Sequence, residues 1–330
     1  MYNYKTILKV FAMKRSACTL CAILPAMLLT LGAVDSFASE GGTTHYNPGT
    51  LATLIDNAPS QGGWVLEPMY LHYQADVEVS KQIPVAGLTT SGLSAKADAI
   101  TFGGLHTLDQ KVFGANYTFG AYVPYIWLEV DAKVEADLGA KYRNDTEQGL
   151  GDITFIPAMF AWKNGRFQYN TGLNVYAPTG DYEMGRLANP GMNYWSFNPW
   201  AGVNYTNEVL NLNAALNGGI FFNTENPDTD YSSGAYTHLE ASVQKLFVLG
   251  KGLITIGAEA FWCEQVEADS GQSERLGDFK GRTTGVGPVL GYMLPMDGKN
   301  LVFELRWLTE LDVKNRLSGD YIWLKAVYQF

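Results

Sequence analysis

The last ten residues, Tyr321 to Phe330, constrain this chain most. Counting back by twos gives Phe330, Tyr328, Ala326, Leu324 and Ile322, all compatible with lipid, while Gln329, Lys325 and Trp323 are polar or amphipathic and Val327 is the exception. Such a period of two over about ten residues is the length of one transmembrane β-strand. The terminal aromatic completes the pattern that closing strands of bacterial outer-membrane barrels present to their assembly machinery. Phe330 is therefore expected to be read by that machinery. A soluble edge strand can alternate in the same way, and the other end of the chain separates the two readings.

Residues 1–38 read as a secretory signal peptide. Lys14 and Arg15 are followed by an uncharged run from Ala17 to Gly32, and Ser36-Phe37-Ala38 puts small residues where a signal peptidase cuts. Translation starts at Met1 or at Met13; residues 1–12 add nothing that such a signal needs. Cys18 and Cys21 fall inside the signal, so the mature chain keeps Cys263 alone and forms no intramolecular disulfide. The full chain has 23 basic and 33 acidic residues. Removing the signal takes four basic residues and Asp35, leaving a mature chain with a net charge of −13, which repels nucleic acid.

Residues 39–62 do not alternate and read as an N-terminal extension, a candidate plug, with one or two helical turns over Thr50 to Asn57. Residues 63–330 read as an all-β outer-membrane barrel of about 12 strands, starting near 64, 94, 111, 148, 166, 194, 209, 233, 252, 281, 299 and 318. Short turns at 108–110, 163–165, 206–208, 249–251 and 296–299 alternate with long connections at 79–92, 139–147, 179–193, 223–232 and 266–280. That layout matches periplasmic turns and outer loops. Residues 111–138 are read as one strand projecting beyond the membrane. A bulge at Pro124 would bring Ile126, Leu128, Val130, Ala132 and Val134 back to the lipid side.

Several short stretches, in order, carry a family resemblance. They are Glu40-Gly41-Gly42, His45-Tyr46-Asn47-Pro48-Gly49, Gly149-Leu150-Gly151-Asp152, Ala177-Pro178-Thr179-Gly180-Asp181-Tyr182, the run from Asn223 to Gly234, Gly285-Val286-Gly287-Pro288, and Glu310-Leu311-Asp312-Val313. The chain resembles the outer-membrane transporters associated with meta-pathway phenol degradation. The resemblance implies a barrel that carries small hydrophobic or aromatic compounds across the bacterial outer membrane.

Alternation sends Asp152, Glu240, Glu259, Glu304, Arg306, Glu310 and Lys325 into the lumen, as a rigidifying network or as a polar path. The candidate substrate path comprises Tyr176, Tyr194, Asn198, Trp200, Asn213, Asn217, Glu240, Glu259, Arg306 and Trp323. Its aromatics offer π faces to a solute or merely fill a narrow barrel. Outward Trp195, Trp307, Tyr205, Tyr292 and Tyr328 belong to interfacial girdles. Glu225, Asp228 and Asp230 depart from EF-hand spacing, and a loop held by Asx turns is favoured over a Ca²⁺ site. No catalytic residue, metal site or cofactor is expected. A barrel hydrolase needs a Ser-His pair facing acyl chains, whereas His238 and Ser242 point into the lumen beside Glu240. The readings are therefore a channel for passive uptake of small hydrophobic or aromatic compounds, a general porin or structural outer-membrane protein, and, third, a barrel hydrolase. The partners expected are outer-membrane lipid, the assembly machinery and a small hydrophobic solute.

Overall fold

The computed structural model describes residues 40–77, 82–135, 139–271, 280–296 and 299–330. The signal peptide expected at 1–38, the tips of the 79–92 and 266–280 connections, and the centre of the 296–299 turn lie outside the described residues. Twelve strands form the wall. They are β1 (Gly63–Asp76), β2 (Leu88–Thr107), β3 (Asn116–Val134), β4 (Lys141–Leu150 continued by Ile153–Asn164), β5 (Phe167–Ala177) and β6 (Ser196–Asn207), then β7 (Leu212–Asn223), β8 (Tyr236–Leu249), β9 (Gly252–Gln265), β10 (Arg282–Met296), β11 (Lys299–Lys314) and β12 (Ser318–Gln329). Each pairs antiparallel with its neighbours in sequence, and β1 pairs with β12 from Val65–Gln329 to Asp76–Ser318, which closes the ring. Trp64 and Phe330 exchange two backbone hydrogen bonds of 2.9 Å at the seam. Closure matters because lipid offers no partner to an unpaired strand edge.

The alternation of the closing strand survives folding. Leu324 is half exposed on the outside, while Tyr321, Trp323 and Lys325 are buried in the lumen. The same holds around the wall, where Leu239, Val243, Ile256, Phe303 and Trp307 face outward.

Two expectations are corrected. The 139–147 stretch is not a loop: Lys141–Leu150 pairs residue for residue with the outer half of β3. Most of its side chains are exposed on both faces, so no apolar period marks it, and only the backbone of β3 specifies it. The bulge expected at Pro124 lies instead in the partner strand. Pro124 pairs normally with Thr101 of β2, but it has no N–H to give β4. Opposite it, β4 breaks at Gly151-Asp152, with Gly151 N–H bonded to the Pro124 carbonyl at 3.0 Å. The parity of β3 therefore never shifts. Tyr125 and Trp127 face outward, and Ile126, Leu128 and Val130 line the interior.

The outer part of the 179–193 connection folds against this break. Gly151, Gly180 and Gly191 approach so closely that a Cβ on Gly180 would sit 2.6 Å from the Gly191 Cα and 2.9 Å from the Gly151 carbonyl carbon. The 223–232 loop pairs Glu225-Asn226 with Tyr231-Ser232, and Asp228 N–H donates to the Asn226 side chain at 3.1 Å. That is an Asx turn, as expected.

Residues 40–62 lie inside the ring. Gly42 sits at the loop end against Ile83 and Leu317. At the turn end Ser60 accepts from Asn116 and Gln61 from Gln329. The helical expectation reduces to one 3₁₀ turn, Leu54–Asp56.

The seam yields a test. Deleting Phe330, or writing Phe330→Asp, removes the closing pair of hydrogen bonds or puts a charge at the lipid boundary. The heat-modifiable folded species in the outer membrane should fall severalfold on semi-native gels. An unchanged folded yield would contradict a role for Phe330 in closing or assembling the barrel.

Candidate functional site

The lumen has two unlike walls. The wall from β7 to β12 carries most of the buried charged side chains of the lumen among the described residues, and residues 40–62 pack against it. An irregular segment has backbone N–H and C=O groups that no sheet satisfies, so side chains must do it. Leu51 N–H donates to Glu240 Oε2 at 3.0 Å, and Leu54 N–H to Gln244 Oε1 at 2.7 Å. Ser242 donates to the Ala52 carbonyl, and Trp323 Nε1 to the Pro48 carbonyl at 2.8 Å. Gly49, at φ +89°, lies where a Cβ would come within 2.9 Å of the Trp323 indole nitrogen. Only glycine fits there on both counts.

Arg306 organises the centre and is fully buried. Its guanidinium donates to the Gly49 carbonyl, Thr53 Oγ1, Asp56 Oδ2 at 2.5 Å and Glu304 Oε1 at 2.6 Å, with Glu259 Oε2 at 3.3 Å. Lys325 Nζ holds the other Asp56 oxygen at 2.8 Å. Burial alone would raise the Asp56 carboxyl; Arg306 and then Lys325 overcome it and hold it down at about 2. Asp56 is thus the charge by which the inner segment is attached to the wall.

A second attachment lies at the loop end. His45 Nε2 is 2.9 Å from Asp152 Oδ2, and Nδ1 is 2.7 Å from Ser196 Oγ. This Ser-His-Asp set is not a nucleophile arrangement. Asn223 Nδ2 donates to the carbonyls of Ser233 and Gly234, which turns Oδ1 toward Ser196 at 2.6 Å. The Ser196 proton is given to Asn223, so Ser196 accepts from His45. His45 Nδ1 therefore carries the proton toward Ser196, and Nε2 shares a buried hydrogen bond with Asp152. Asp152 also accepts the N–H of Gly180 at 2.9 Å and of Met192 at 2.8 Å. It ties the inner segment, the β4 break and the folded loop together. His238 and Ser242 do not pair either. His238 meets Asn198 at 3.0 Å and stacks on Tyr46.

The opposite wall is apolar. Met69, Leu71 and Tyr73 of β1, Leu93, Ala95, Ala97 and Ala99 of β2, and Ile126, Leu128 and Val130 of β3 form one cluster with Leu187 of the folded loop, joined by Phe261, Leu308, Tyr321 and Trp323 of β9, β11 and β12. Val65, Leu105, Ile156, Met159 and Trp200 form a second toward the turn end. Between these clusters and the inner segment lies a cavity of about 460 Å³, within the range of small-molecule sites.

The sequence-predicted path residues divide into those that line the cavity and those that do not. Tyr176, Tyr194, Trp200 and Trp323 line the cavity. Asn198, Asn213, Asn217, Glu240, Glu259 and Arg306 are buried and do not line it. Asn213 donates to Thr206, and Glu240 receives the inner segment. The sequence reading missed Asp56, His45 and the apolar wall of β3. Asp56 is an isolated acid between Ile55 and Asn57, and nothing in its local sequence marks it as the partner of Arg306 and Lys325. The β3 wall was missed because a proline was taken to shift parity.

The family model described as "Putative MetA-pathway of phenol degradation" matches residues 80–326. Among solved structures, an outer membrane channel from Pseudomonas putida F1 superposes with a TM-score of 0.60 at 17% identity, covering 87% of this chain and 100% of that one. The β-domain of the Bordetella autotransporter BrkA gives 0.48 at 12% identity, covering 82% of this chain and 100% of that one. The Pseudomonas aeruginosa porin OccK10 gives 0.33 at 10%, covering 82% and 99%. No curated protein matches the chain. The closed twelve-stranded ring, its lipid-facing apolar band and this match over most of the chain agree: the protein has the fold of a bacterial outer-membrane β-barrel and belongs to the family described as "Putative MetA-pathway of phenol degradation".

Proposed function

We propose that this channel takes up small apolar or aromatic solutes by diffusion along the apolar slot, and that residues 39–62 act as a plug restricting flow. The observation that carries the reading is the cavity of about 460 Å³, whose outer wall on β1–β3 is almost continuously apolar. Apolar solutes gain by leaving water for such a surface, about 25 cal/mol per Å² buried. Ions and sugars do not, and the polar wall that would suit them is occupied by the inner segment. A general porin would leave that wall to water. The aromatic rings of Tyr176, Tyr194 and Trp200 along the slot add faces on which a flat solute can stack.

The plug reading rests on the Asp56 and His45 attachments. Deleting residues 41–58 is expected to raise conductance through single channels in planar bilayers severalfold while folded yield is kept. Equal conductance in the two proteins would leave the segment as a tether only.

Asp56 gives a finer test. In Asp56→Asn the Lys325 charge loses its carboxylate, and breaking one partner of a buried pair costs about 3–5 kcal/mol. Open-state occupancy should rise and the urea midpoint of the folded barrel should fall. The pH response has a definite sign. A carboxyl held down at about 2 contributes stability above the ordinary carboxylate range and loses it only as pH falls through that low value. Wild-type conductance should therefore stay flat from about pH 8 to about pH 4 as far as Asp56 is concerned. Opening midway through that window would place the latch elsewhere.

A further inference from the structure

On the inward faces of β1, β2 and β3, among the described residues, Glu67 is the one carboxylate. It lies between the two apolar clusters, after Val65 and before Met69 and Leu71. It lines the cavity and is 8% exposed. One oxygen, Oε2, accepts from Tyr122 at 2.8 Å. No hydrogen bond to Oε1 exists among the described residues, and the cavity lies beside it. A buried acceptor left without a donor is costly, and a carboxylate more so.

The backbone is arranged to keep this group open to the slot. Tyr122 belongs to β3, two strands away from Glu67. It reaches Glu67 by lying flat across Gly103 of β2. A Cβ on Gly103 would meet the Tyr122 ring at 2.2 Å. The glycine therefore recesses the ring into the wall, and the ring turns its hydroxyl away from the slot and toward one Glu67 oxygen. The bore stays clear, and the other oxygen is presented to whatever occupies it.

We propose that Glu67, positioned by Tyr122 over Gly103, is a recognition site for the hydrogen-bond donor of an apolar solute. This rests on the apolar-slot reading and refines it. The slot selects apolar bodies, and Glu67 favours those carrying one hydroxyl over equally sized ones that carry none. A solute hydroxyl donates to Oε1 while its apolar body lies on Leu105 and Val65 to one side, or on Met69 and Leu71 to the other. An aromatic hydrocarbon or ether passes the same point with the carboxylate unpaired.

The test uses the full-length mature barrel in detergent, with para-fluorophenol and para-fluoroanisole as probes of nearly equal size, only the first a donor. Fluorine NMR titration gives the dissociation constant of each, and comparing variants in one detergent cancels partition into micelles. Wild type should prefer the phenol. Glu67→Leu should reduce that preference about tenfold, the loss of one hydrogen bond to a charged group. Glu67→Gln keeps an acceptor without the charge and should reduce it about threefold. Gly103→Ala should weaken both probes together, because the displaced ring enters the slot. If neither probe binds wild type, the apolar-slot reading fails and takes this proposal with it. If both bind and the preference is the same in wild type and Glu67→Leu, the slot stands and Glu67 is overturned. Should Glu67→Leu not fold, an unchanged preference in Glu67→Gln overturns it equally.

Discussion

Every backbone N–H and C=O of the membrane-spanning wall and of the segment inside it has to find a partner that is neither lipid nor bulk water, and the rest of the structure follows from how that demand is met. In the wall it is met by closure. Each strand gives its hydrogen bonds to two neighbours, and the first strand takes the last, so no edge faces lipid. The irregular segment in the lumen meets the same demand without a sheet. It borrows Glu240, Gln244, Ser242, Trp323 and Arg306 from the wall. The polar side chains lining β7 to β12 are thus matched to a peptide.

That division explains why the remaining space is apolar. Once the inner segment covers the charged wall, the slot left over has its largest face on β1 to β3, whose inward residues are mostly aliphatic, aromatic or glycine, with Tyr176, Trp200 and Trp323 at its margins. A barrel with a water-filled lumen would need polar groups all round. Here the segment that lies in the lumen also determines the chemistry of the space beside it, and the two attachments at Asp56 and His45 keep it in register with the wall. The Asp152 node extends the same hold to the loop that seals the β4 break.

Charge is concentrated where it can be paired. Arg306 and Lys325 stand within reach of Asp56, Glu259 and Glu304, all nearly fully buried. Such a group is worth little as a sum of attractions, because desolvation offsets most of them. Its value lies in specificity. Asp56 contacts both cations only when the segment sits at one depth, so the ion pairs fix a position that apolar packing alone would leave free to slide.

Period two, the terminal aromatic and the turn-loop rhythm were local properties, and they sufficed for the barrel, the number of strands and the inward direction of Asp152, Glu240, Glu259, Arg306 and Trp323. Alternation is decided residue by residue, so it can be read without knowing a neighbour. Lys141–Leu150 could not be read that way, because it is exposed on both faces and exists only as the partner of β3. Pro124 misled for the same reason: its missing N–H was absorbed by a bulge in the other strand, which a single chain segment cannot reveal. The path of residues 40–62, the pairing of Asp56 with Arg306 and Lys325, and the approach of Tyr122 to Glu67 over Gly103 join positions from 19 to 269 residues apart in the chain. Pairing of β1 to β3 brings the last of these together and the fold of the inner segment into the closed ring brings the others, so tertiary structure alone decided which lumen wall holds the peptide and which borders the cavity.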